Sequence, residues 1–284
     1  MKGGWFRIIL VLTIIDVAFG GLGYLLLGLP AAVTVAGALA LLQLFMYAYG
    51  ERILLRWYRV RTVTEVDYPH LYEALARISS AAGIPVPRLA LAPIGTPNAF
   101  SLGKSPHRSM VVLTYGLLRV LDMDEVEGVM AHEVSHLTTG EASLQTTSSV
   151  FAGLLLEVAY GLKRIANRIL GKKEEDPNGG IFFRILAPIS GGFIRFVLSP
   201  SREYRADESA AFLSGKPLAL ASALLKIEKA IKFRPMKGGN LATAPIFIVH
   251  PFRGEIAERF STHPPAEKRA ERLLQIAEER GMYS

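Results

Sequence analysis

Asp122-Met123-Asp124-Glu125-Val126-Glu127-Gly128-Val129-Met130-Ala131-His132-Glu133-Val134-Ser135-His136 is the stretch on which the reading of this chain turns. Asp122, with Glu125 three residues on, has the form of a capping box, and Val126, Val129, Met130 and Val134 recur at helical spacing, so one helix is predicted. His132 and His136 then project from one face and can hold one tetrahedral metal ion, with Glu133 beside that face. Nitrogen and carboxylate donors favour zinc, one ion per chain. Glu133 is placed to take a proton from a metal-activated water and return it to a leaving amine, the chemistry of peptide hydrolysis. The competing reading is an ordinary helix on which two of only six histidines fell at this spacing.

A metal site needs a third protein ligand. Ser201-Arg202-Glu203-Tyr204-Arg205-Ala206-Asp207 offers one, because Glu203 and Asp207 are again four apart on a predicted helix. Glu203 can bind the metal while Asp207 accepts the second ring N–H of a ligand histidine. The alternative is a solvated face whose acids pair with Arg202 and Arg205.

Outward from these helices the chain becomes apolar. Half of its 284 residues are hydrophobic, more than an ordinary soluble domain carries alongside its polar surface. Phe6 to Leu29 and Ala31 to Tyr49 are each about long enough to cross a bilayer, and Gly28-Leu29-Pro30 is too short for a folded loop between them. Residues 1–61 therefore read as a transmembrane helical hairpin with a basic juxtamembrane segment. Lys2 and Arg7 before it, and Arg52, Arg56, Arg59 and Arg61 after it, put both ends in the cytoplasm. The net charge of +7 lies largely beside apolar segments, with no basic stripe interleaved with aromatics, so the expected partner is the lipid bilayer and not nucleic acid. The absence of cysteine excludes disulfides and thiolate ligands.

Residues 62–284 read as a cytoplasmic domain of mainly α, α+β class. Asp67 is placed to cap a helix running to about Ala82, and strands are predicted at Arg88 to Ala92, Asn98 to Leu102 and Met110 to Thr114, forming a small antiparallel sheet. An apolar helical pair at about 146–199, around the polar loop Gly171 to Gly180, fits both a second crossing and a pair lying in or on the membrane. Further helices are predicted from about Pro200 to Leu213, Pro217 to Ile231 and Pro264 to Arg280. The acids Asp122, Asp124, Glu125 and Glu127 mark the metal-binding helix as soluble-facing, against an intramembrane site. His70, His107 and His250 have no partner at ligand spacing.

With the paired N-terminal spans, Pro97-Asn98-Ala99-Phe100, the His-Glu-x-x-His helix, the Glu203/Asp207 helix and Ser261 to Arg269, the chain resembles HtpX-type membrane metallopeptidases, within the larger group that includes the CAAX prenyl proteases. The resemblance covers essentially the whole chain. It implies a gluzincin-like site with His132, His136 and Glu203 as ligands, Glu133 as base and Asp207 supporting a ligand. It also implies that Asn98 and Ala99 pair with an extended peptide, that His263 stabilises an oxyanion, and that Arg269 pairs with Asp207 or Glu203. Read without it, Asn98 is a turn residue after Pro97, His263 belongs to a turn before Pro264, and Arg269 lies on the surface. The implied activity is hydrolysis of polypeptides, namely damaged or misassembled membrane proteins. A processing protease with one substrate and a non-catalytic membrane scaffold are the alternatives.

Overall fold

The computed structural model describes residues 2–105, 107–169, 181–258 and 260–283. Helices α1 (Lys2–Leu27) and α2 (Leu29–Trp57) are joined at Gly28, whose φ of 78° reverses the chain where a side chain would be strained. Both are long and apolar enough to cross a membrane, by length and composition, and among the described residues no other helix is. Leu25 and Leu27 remain 80% and 79% exposed. Two polar side chains within the hairpin satisfy each other, Gln43 donating to Asp16 at 2.8 Å, and Thr34 donates to the Pro30 carbonyl at 2.8 Å.

A four-stranded sheet follows, β1 (Arg61–Thr62), β2 (Arg88–Ala92), β3 (Ala99–Ser105) and β4 (Arg108–Thr114), in the order β1-β2-β4-β3. The sheet is mixed and not wholly antiparallel, because β2 pairs with β4 in parallel. The chain leaving β2 passes beyond the β4 position before turning back, and Thr114 Oγ1, accepting from the Asn98 amide at 2.8 Å, fixes where β3 begins. Gly116 permits the tight approach of that connection: a Cβ there would meet the Gly95 carbonyl oxygen at 2.2 Å. Helix α3 (Pro69–Ala81) starts after the expected point. Pro69 occupies its first turn, and the Asp67 carboxylate instead accepts from the amide and hydroxyl of Thr64.

After α4 (Tyr115–Val120) come α5 (Met123–Thr138), α6 (Glu141–Ile169), α7 (Ile181–Val197), α8 (Ser201–Ser214), α9 (Pro217–Phe233), a 3₁₀ turn at Leu241–Ile246, α10 (Glu255–Glu258) and α11 (Ala266–Arg280). The predicted apolar pair at 146–199 is thus helical, and its loop, Gly171 to Gly180, lies outside the described residues. One core gathers α3, α5, α9, α11 and one face of the sheet. A second joins the base of the hairpin (Ile8, Met46, Leu54, Tyr58) to Phe100, Val112, α6 and α7, so the hairpin is packed onto the domain and not merely tethered to it. The 3₁₀ turn is held between these parts: Asn240 donates to the Gly153 carbonyl and to Glu157 on α6, and Thr243 shares a hydrogen bond with the Tyr58 hydroxyl.

Candidate active site

The capping box that seeds α5 is formed in full, Asp122 accepting from the Glu125 amide at 3.0 Å and Glu125 from the Asp122 amide at 3.1 Å. The helix is not soluble-facing along its length, however. Every residue from Glu125 to Leu137 is buried, and the acids at its start are spent on ion pairs, Glu125 with Lys226 at 2.5 Å and Glu127 with Arg77 and Lys216 at 2.6 Å each. Helix α5 is the axis of the domain, and the site lies within it.

His132 Nε2 and His136 Nε2 stand 3.1 Å apart with their rings at 87°. Helix α8 brings Glu203 opposite them, Oε2 at 3.6 Å from His132 and Oε1 at 3.9 Å from His136, and one donor atom from each of the three lies within 4.8 Å of the other two. The far nitrogens are fixed by carboxylates. His132 Nδ1 lies 2.9 Å from Asp207 Oδ1 and His136 Nδ1 lies 3.0 Å from Glu141 Oε2, so with each Nδ1–H donated outward both Nε2 lone pairs face inward. Arg269 in turn clamps Asp207 with two hydrogen bonds, at 2.6 and 2.7 Å, and donates to the Ile248 carbonyl at 2.6 Å.

Both Glu203 oxygens are buried without a hydrogen-bond partner. Such orphaned acceptors are costly in a core, and a cation bound by two imidazoles and this carboxylate removes the cost, so the residues present fit a zinc-like ion. Burial alone would raise the Glu203 pKa; His263 and His132 hold it well below the usual carboxylate range. Burial likewise opposes the charge on His132 and Asp207, yet Asp207 and Glu203 raise the histidine to about 9, and Arg269 lowers Asp207. Glu133 goes the other way. It is 1% exposed, with Oε2 unpartnered, and burial raises its pKa against the pull of His132 and His136.

His263 Nδ1 lies 3.2 Å from Glu203 Oε2, so its side chain borders the site. Asn98 and Ala99 are fully buried, and their polar groups are engaged by the chain itself: Asn98 donates to the Val249 carbonyl at 2.8 Å, and Ala99 accepts from the Ile248 amide at 3.0 Å. Phe247 bridges Phe100 in the same antiparallel sense, so residues 247–249 lie along the outer edge of β3. Sequence reasoning missed Glu141, although an acid just past the Gly140 break, five residues after His136, was the available signal. It also took Arg202 only as an ion-pair partner for a solvated face, whereas Arg202 is buried with none of its three guanidinium nitrogens hydrogen-bonded. His250 is buried between the carbonyls of Phe252 and Ala257, away from the donor set.

A family profile described as Peptidase family M48 matches residues 67–277, which take in every residue of this constellation. The chain belongs to peptidase family M48. It is therefore a protease, a hydrolase, of a metallopeptidase family. Among curated relatives, the M48 chain is 45% identical over 287 residues to the protease HtpX homolog of Pyrococcus furiosus, spanning 99% of this chain and 98% of that one. It is 44% identical over 286 residues to the protease HtpX homolog of Thermococcus kodakarensis, at 98% of each. A crystal structure of Ste24p from S. mikatae aligns with 96% of this chain and 66% of its own, at a TM-score of 0.43 and 17% identity. The HtpX matches run through α1 and α2, and these two apolar helices together with those relatives point to a membrane protein.

Proposed function

We propose that this M48 peptidase is a membrane-anchored zinc endopeptidase that hydrolyses peptide bonds with Glu133 as its base. One observation carries the reading: the inward donors of His132, His136 and Glu203 converge within 4.8 Å, and Glu133 follows the first of them in the chain with an unpartnered buried oxygen. Bound zinc supplies Lewis-acid chemistry, polarising a carbonyl and acidifying water. The raised pKa of Glu133 suits it to accept a proton from the attacking water and deliver it to the departing amine. Asp207 and Glu141 hold the two imidazoles in the tautomer that keeps Nε2 free, and Arg269 holds Asp207 ionised. His263, at the rim of the donor set, is the residue for stabilising a developing oxyanion.

Substrates are polypeptides of the membrane surface, including damaged membrane proteins. The hairpin supports anchoring, and the basic residues at both its ends support a catalytic domain on the cytoplasmic side. An extended substrate pairs with β3 through Asn98 and Ala99 once Ile248 and Val249 have moved aside.

The test compares wild type with Glu133→Gln, purified in detergent, by elemental analysis and cleavage of casein. Both should hold one zinc, with cleavage reduced by about 10²- to 10⁴-fold in the variant. Zinc-loaded wild type that cuts no polypeptide, or a variant that cuts equally well, would overturn the reading.

A further inference from the structure

Beside the metal site, between the start of α1, the start of α6 and the junction of α7 with α8, lies a cavity of about 180 Å³ lined by Trp5, Arg7, Glu141, Leu198, Arg202 and Arg205, among others. Its chemistry is unbalanced. Arg202 is 3% exposed, and none of its nitrogens has a hydrogen-bond partner. Its nearest acid is Glu203, 3.4 Å from Nε in poor geometry, and the proposed metal would claim that carboxylate. Glu141 is also spoken for, one oxygen facing His136 and the other Arg205 at 3.4 Å. A guanidinium taken out of water without an acceptor is a strongly unfavourable arrangement unless an anion completes it.

We propose that this cavity is a binding site for a phosphate group, presented by the headgroup of an anionic phospholipid. Arg202 forms its floor, and Arg7 and Arg205 stand at its mouth. Helices α6 and α8 both begin at its wall, adding the positive ends of two helix dipoles. The lipid source follows from position: Trp5 and Arg7 belong to the first turns of an apolar helix, Arg7 donates to the Phe196 carbonyl at 2.9 Å at the end of α7 and lies over the Phe196 ring, and Trp5 lines the cavity as an interfacial aromatic would. The proposal rests on the membrane reading of α1. It places the headgroup next to the two carboxylates, Glu203 and Glu141, that shape the metal site.

The full chain is reconstituted into phosphatidylcholine vesicles with or without phosphatidylglycerol, and its flotation, thermal stability and retained lipid by native mass spectrometry are read. Flotation with both vesicle types establishes anchoring independently of the headgroup, and its failure would remove the membrane reading itself. With anchoring intact, wild type should retain phosphatidylglycerol and unfold at higher temperature in its presence. Arg202→Gln should lose both effects, and Arg7→Gln should weaken retention about fivefold, the value of one cation near an anionic surface. Stabilisation by inorganic phosphate equal to that by phosphatidylglycerol would make the site one for free phosphate and overturn the lipid source. Equal behaviour in both vesicle types, or an Arg202→Gln variant that changes only KM for acidic against neutral peptides, would overturn the proposal.

Discussion

The hairpin and the catalytic domain solve opposite solvent problems. In α1 and α2 leucines face outward, and Gln43 pairs with Asp16 across the hairpin. Around α5 the arrangement inverts: Arg269, Asp207, Glu203 and His132 are among the most buried residues of the chain. An apolar surface is stable only against lipid, and a buried ionic cluster is stable only while every member keeps its partner. The difference teaches that the hairpin is specified by composition and the site by pairing, so the two halves should respond to substitution in unlike ways.

The largest effect should come from unpairing the cluster. Arg269→Met leaves Asp207 buried beside Glu203 without its guanidinium partner, and thermal unfolding in detergent should show a loss of about 3–5 kcal/mol. Adding Asp207→Asn should recover part of that loss; a single variant as stable as wild type would remove the contrast. Next is Leu54→Ala at the base of α2, where the side chain is fully buried in the second core. A loss of roughly 2–5 kcal/mol is expected, because a cavity opens where hairpin meets domain.

A smaller effect tests the ion pairs at the start of α5. Burial opposes the charge on Glu127, but Arg77 and Lys216 overcome it and lower its pKa below the usual value. Its folded pKa being depressed, Glu127 contributes stability that is full above its unfolded pKa and is lost as pH falls through the folded one. Melting temperature followed from about pH 6 to pH 3 should therefore decline less steeply in Glu127→Gln, by at most about 1 kcal/mol. The smallest effect belongs to Leu41→Ala, 69% exposed on α2, which should change stability in micelles by less than about 0.5 kcal/mol. A Leu41 variant as costly as the Leu54 variant would mean that this face packs against protein.

What the sequence disclosed follows the same division. The capping box, the four-residue spacing of His132 with His136 and of Glu203 with Asp207, and the two apolar runs are local signals, and helices form around each of them, the second hairpin helix starting at Leu29 and running on to Trp57. Its blind spots are contacts between distant segments. The parallel pairing of β2 with β4 depends on how the loop before Asn98 is routed, and Glu141 meets His136 only because α6 starts with a turn at Gly140. Nothing near Arg202 indicates that its guanidinium will be buried without a hydrogen-bond partner, and its charged neighbours suggest a wet helix. The coverage of β3 by residues 247–249 joins positions about 150 apart, which no periodicity encodes.

On the proposed pairing of substrate with β3, that covering segment is a built-in competitor. It is tethered at one end through Thr243 to Tyr58, so it meets the edge of β3 at an effective concentration of order millimolar, while an incoming peptide arrives at whatever concentration the membrane surface offers. The observed affinity for any such peptide equals its intrinsic affinity scaled by the fraction of time the segment is away. On that reading, unfolded chains held at the bilayer, where their local concentration is high, would gain most from any opening, whereas folded proteins diffusing past would find the edge taken.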